Sequence, residues 1–197
     1  MDGDLFITGD ADADALLNRD PNALMIGMLL DQQVPLEWAF RGPATLRERL
    51  GHLDAARIAA MDVDELVAVA CAVPAIHRFP AVMARRIHAL CEALVAEWDG
   101  RADALWADAP DGRVLARRIR SLPGFGPEKT QIFVALLAKR FGVRPDGWER
   151  AAGVFADDRP RTIADCDGPA GLAAVRAWKA AQKAAGKDKQ DRPLPRS

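Results

Sequence analysis

The stretch SLPGFGPEKT, Ser121 to Thr130, sets two glycines and two prolines between two helical runs, with a lysine just inside the second. Before it stands GRVLARRIRS, which puts Val114, Leu115 and Ile119 on one side of a helix. After it stands PEKTQIFVALLAKRF, with Ile132, Phe133, Leu136, Leu137 and Phe141 on the other. Only LPGFG separates the two runs, so the helices are expected to be antiparallel neighbours. Leu122 and Phe125 then tuck beneath the pair as an apolar plug. Gly124 and Gly126 are expected to take positive φ and to leave no side chain between backbone and ligand. Pro127 has the fixed φ suited to a first helical position. Outward, such a turn presents unpaired N–H groups at a helix N-terminus, an anion site that needs no particular side chain. Lys129 and Thr130 add a charge and a hydroxyl beside it. An ordinary glycine-bearing connection between helices has the same local sequence.

Away from the turn the periodicity is helical nearly everywhere, and no segment alternates convincingly with period 2. In RFPAVMARRIHALCEALVAEW the residues Val82, Met83, Ile87, Leu90, Leu94, Val95 and Trp98 form one stripe, which Asp99 and Gly100 end. NALMIGMLLDQQ is apolar on almost every side, as a helix buried in mid-domain would be, and Pro35 stops or restarts it. MDVDELVAVAC opens with Asp62 as an N-cap and Glu65 three residues on. The expectation is an all-α protein of about eight to ten helices.

Half of the 197 residues are apolar, enough for a real core. No run approaches the roughly 18 uninterrupted apolar residues of a membrane span, and MDGDLFITGDADAD is acidic where a signal peptide is basic. A soluble cytoplasmic protein without a membrane partner is expected. Cys71, Cys91 and Cys166 are too few and too far apart for a disulfide framework or a metal cage, and are read as reduced, mostly buried thiols. The net charge of −1 hides a polarity: residues 1–100 carry 8 Lys/Arg against 16 Asp/Glu, and residues 101–197 carry 19 against 12. The basic half is a candidate polyanion-binding face. Part of its surplus lies in a Lys/Ala/Pro-rich end, expected to be disordered.

LPGFGPEKT resembles the hairpin of the helix-hairpin-helix DNA glycosylase superfamily, which usually reads L-P-G-x-G-x-K/W-T/A. LLDQQVPLEWA, LDAARIAAMDVDEL and PAIHRFPAVMARRIHALCEALVAEWDG resemble three earlier segments of that family, in the same order and at comparable spacing. The likeness runs roughly from Asn22 to Ala152. It implies a bilobal helical fold, binding of double-stranded DNA, extrusion of a base and cleavage of its N-glycosidic bond. The organisation expected is an N-terminal segment over 1–20, a two-lobed domain over 21–179 with its hairpin at 113–141, and a disordered basic tail over 180–197. The hairpin residues Leu122, Gly124, Phe125, Gly126, Lys129 and Thr130 become phosphate contacts. A monomer acting at the nucleoid is expected.

Flipping a base leaves a gap that an inserted side chain normally fills. Gln32 and Gln33 match the position of that plug, though a polar helix end would also carry glutamines. Trp38, Phe40, Phe79 and Trp148 are candidates for pocket walls, although aromatics at helical spacing also serve as core. The resemblance implies an essential aspartate after the hairpin's second helix. In FGVRPDGWERAAG the sole aspartate is Asp146, placed where a helix dipole would keep it ionised and where a plain N-cap would also sit. That loop is about three residues shorter than the commonest family pattern. Members that also cut the sugar use a lysine two residues after the second glycine. Here that position is Glu128, and Lys129 comes one residue late, a rotation of about 100° on a helix. A monofunctional glycosylase is therefore expected, with a catalytically inactive DNA-binding protein of the same fold as the alternative. Only Cys166 lies beyond the hairpin, so no four-cysteine iron–sulfur loop is expected there. No other cofactor is expected, save a monovalent cation at the hairpin.

Overall fold

The computed structural model describes residues 1–194, and among them every regular element is helical. Asp10 accepts two backbone N–H bonds to start α1 (Ala11–Arg19). Asp20 ends that helix and caps the next, α2 (Pro21–Leu30), with Pro21 at the first helical position. Ala23 through Leu30 are all buried, so α2 is the central element that its all-round apolar sequence implies. The first lobe wraps it with α3 (Leu36–Leu50), α4 (Ala55–Ala59), α5 (Val63–Cys71) and α6 (Pro80–Trp98). Met83, Ile87, Leu90 and Leu94 of α6 face the core, while Val82 and Val95 at the edges of the stripe stay exposed. Asp99, in the left-handed region at φ 51°, ends α6.

A short α7 (Ala104–Ala107) leads into the second lobe, built from α8 (Gly112–Arg120), α9 (Pro127–Arg140), α10 (Trp148–Ala152) and α11 (Pro169–Ala184). The protein is thus all-α and bilobal, with α8 and α9 forming the expected helical hairpin. Among the described residues eleven α-helices form, because short turns such as α4, α7 and α10 count as elements. The start of the N-terminal segment pairs with the second lobe, where Asp4 N–H donates to Arg140 O at 3.2 Å and Phe6 N–H to Cys166 O at 3.0 Å, while α1 packs on α2 and α3 of the first. No helix among the described residues is long and apolar enough to cross a membrane. Cys91 and Cys166 are buried and burial pushes both thiols up to about 12, but Cys71 is exposed, against expectation, because it ends α5 on the side away from the core.

The end of the chain corrects a further expectation. Residues 180–184 continue α11, and residues 186–194 fold back as a strap closed by Leu194 N–H donating to Gly186 O at 2.8 Å. Residues 195–197 of the expected tail lie outside the described residues. Composition suggested disorder because a charged segment buries little apolar area; here the charges are paired. Arg161 is 3% exposed and needs its five donors satisfied. Asp157 takes two of its nitrogens, while Asp191 and the Lys189 carbonyl, both on the strap, take the third. The Arg161 guanidinium also lies 5.3 Å from the Trp178 ring.

The two hairpin glycines make different demands. Gly124 has φ 85°, and a Cβ there would lie 2.3 Å from Leu29 Cδ1 of α2. Gly126 has φ −72°, not the positive value expected, and a Cβ there would meet nothing within 4 Å. Gly124→Ala is expected to cost about 2 kcal/mol through left-handed strain and overpacking, whereas Gly126→Ala changes stability by less than about 0.5 kcal/mol. Chemical denaturation of the two variants checks the contrast.

Candidate functional site

The bend between α8 and α9 is anchored from below and open above. Leu122 and Phe125 are buried, with the Phe125 ring edge-on to Phe133 at 5.9 Å, as the plug requires. Arg120 Nη1 donates to Phe125 O at 2.7 Å and fixes the turn. Gly126 is the N-cap of α9 with no side-chain cap, and no acceptor among the described residues takes the N–H groups of Gly124, Gly126, Glu128 and Lys129. These free amides at the positive end of a 14-residue helix are a ready anion site. Thr130 contributes less than expected. It is 4% exposed, and its hydroxyl finds no partner among the described residues.

Lys129 does not point at that anion site. Its ammonium donates to the carbonyls of Met28 (2.7 Å), Leu29 (3.1 Å) and Asp31 (3.3 Å). These belong to the last turn of α2 and its C-cap, carbonyls without intrahelical partners in a helix with no basic residue in its last turn. Lys129 caps α2 across the lobe boundary, and the one-residue displacement in the sequence is what turns it inward. Burial lowers its pKa to about 8, with the charge of Asp31 opposing that shift.

The capping contact, together with Leu29 against Gly124, brings the end of α2 to the bend. Gln32 and Gln33 then separate in role. Gln32 folds back, with Nε2 donating to Leu29 O at 2.7 Å and Oε1 accepting from Arg86, so it is a helix-end cap and not a free plug. Gln33 is exposed and holds φ 57°, a left-handed conformation that costs a non-glycine residue about 1 kcal/mol and tends to persist at functional sites. Beside it runs an aromatic row: Trp38, His77 and Phe79, with neighbouring ring centroids 6.3 and 6.1 Å apart. Trp38 and Phe79 are 40% and 41% exposed, and the Arg78 guanidinium lies 5.2 Å from the Phe79 ring. Phe40, by contrast, is fully buried against Gly27 and belongs to the core.

His77 joins the row to Gln32 at the end of α2. Phe79 N–H donates to its Nδ1 at 3.0 Å, so Nε2 carries the proton that reaches Gln32 O at 2.9 Å. Nothing in the sequence distinguished this histidine from His52 or His88.

Asp146 and Trp148 are elsewhere. Asp146 O accepts from Gly112 N–H at 2.8 Å, so Asp146 lies beside the start of α8, and the nine residues of α8 span about 13 Å between that point and the bend. It is exposed on an open pocket of about 530 Å³ shared with Asp111, Arg113 and Arg150. The N-cap of α10 is Gly147, so Asp146 does not cap that helix either, and Trp148 packs beside it against the core. The physical reason is that α9 runs away from the bend, so the loop that follows it begins at the far end of the hairpin, beside the start of α8. A carboxylate closer to the hairpin lysine is that of Asp31, whose charge acts on both Lys129 and Lys179. Its sequence signal was its place immediately before the two glutamines.

A family model described as HhH-GPD superfamily base excision DNA repair protein matches residues 26–177. No curated protein and no solved structure gives a significant match.

His77 gives the site a pH dependence. Burial lowers its pKa from the ordinary 6.5, so the native state binds this proton less readily than the unfolded chain. Its contribution to stability is complete above about pH 6.5 and is lost as pH falls below it, because protonation at Nδ1 breaks the bond from Phe79. Melting curves between about pH 7.5 and pH 5 should show a steeper fall in Tm for the unaltered protein than for His77→Gln.

Proposed function

The chain belongs to the HhH-GPD superfamily of base excision DNA repair proteins, and on that premise we propose that it is a monofunctional DNA glycosylase whose working edge is the meeting of α2 with the hairpin bend. The free amides of the bend hold a phosphate of the backbone, and Gln33 fills the space left by an extruded nucleotide. Trp38 and Phe79 offer faces on which bases stack. In this reading Asp31, and not Asp146, supplies the carboxylate that stabilises positive charge developing on the sugar or orients the attacking water. The observation that carries the reading is the contact of Lys129 with the last turn of α2, which gathers the amides, Gln33 and Asp31 on one edge. Lys129 has its three protons engaged by carbonyls, which argues against its serving as the amine that attacks the sugar. The three cysteines of the sequence are one short of an iron–sulfur ligand set, so the enzyme is taken to work without a cluster, as a monomer on duplex DNA.

The exposure of Asp146 at the opposite end of the hairpin favours a second reading, in which the fold recognises lesions without cutting them. Incubation with duplexes carrying alkylated, deaminated or oxidised bases separates the two. Base release is expected on at least one lesion, reduced about 100-fold or more by Asp31→Asn and within about threefold of the unaltered rate for Asp146→Asn. Borohydride should trap no covalent complex. Tight binding without base release on every lesion would establish the second reading.

A further inference from the structure

The middle of the strap over residues 186–194 reaches the first turn of α9. Lys189 Nζ lies 2.9 Å from Glu128 Oε1, Gln190 Nε2 donates to Glu128 Oε2 at 2.6 Å, and Arg192 approaches the same oxygen at 3.7 Å. Glu128 is the second residue of α9, in its first turn. A carboxylate there is attracted by the free amides of its own helix and competes with any external anion for them. Glu128 nevertheless makes no capping bond, because both of its oxygens are held by the strap.

We propose that the strap is part of the phosphate-binding surface: it draws Glu128 away from the amides of the bend and cancels its charge, leaving them free for a DNA phosphate. The local charges support this. Glu128 alone would place one negative charge beside the amides. The strap adds Lys189 and Arg192, together with Asp188, which Arg192 binds at 2.7 Å, and the four sum to zero. The geometry is maintained by elements that do not touch the bend. Asp188 accepts from Gln190 N–H and Arg192 N–H to shape the strap, and Asp191 ties it to the buried Arg161. The strap thereby gives a positioning role to a segment whose composition suggests only a solvated tail.

The inference rests on the DNA-binding reading above, and the test keeps the two apart. Duplex affinity is measured at several salt concentrations for the full chain, for the double variant Lys189→Ala/Gln190→Ala, for Glu128→Gln, and for the combination of all three. Thermal melting of each variant confirms that it is folded. The double variant is expected to bind duplex about tenfold more weakly, and Glu128→Gln is expected to restore that affinity, since a neutral side chain no longer competes for the amides. Equal or tighter binding by the double variant, or failure of Glu128→Gln to rescue it, would overturn the inference while leaving the function intact. Salt-independent binding, or none, by the unaltered chain would overturn both.

Discussion

One part-buried ammonium organises this protein. Lys129 reaches from the first turn of α9 to the open carbonyls at the end of α2, and so joins the hairpin of the second lobe to the central helix of the first. Taking a lysine out of water is costly unless its donors are met. Here three carbonyls meet them, at a helix end whose carbonyls have no intrahelical donors. The contact is short-range but its consequence is not. It fixes where α2 stops relative to the bend, and therefore where Asp31, Gln32 and Gln33 emerge.

Around that contact the polar groups fall into two kinds. Gln32 and His77 are spent on structure: Gln32 closes the end of α2, and His77 passes a hydrogen bond from Phe79 N–H on one side to the Gln32 carbonyl on the other. Their neighbours are left outward. Gln33 stands in a left-handed conformation that only its fixed surroundings can maintain, and Trp38 and Phe79 keep broad faces open to solvent. The rigid layer beneath explains how an exposed layer of polar and aromatic groups can be held in place on a surface.

Charge is arranged in the same economical way. The basic half of the chain does not form an unbroken positive face, because many of its arginines and lysines are matched at short range: Arg161 with Asp157 and Asp191, Lys139 with Asp165, Arg118 with Asp108. What remains at the bend is backbone polarity, which no side chain among the described residues caps, and Glu128 beside it is held by the strap.

The sequence by itself determined the helical class, the hairpin and its apolar plug, because these depend on periodicity, on proline and glycine chemistry and on contacts a few residues apart. Leu122, Phe125 and Pro127 stand where their residue types require. The direction of a side chain across the lobe boundary was not legible in that way. Lys129 and Asp146 carry the right chemistry for an anion site and a catalytic carboxylate, yet one turns inward and the other lies a helix length away. Gln32 and Gln33 are identical in type and adjacent in sequence, yet one is a cap and the other is exposed. Only tertiary structure decides such cases, since they depend on which end of which helix meets which loop, and a shift of a single residue in a helix or of three in a loop moves a functional group to another face.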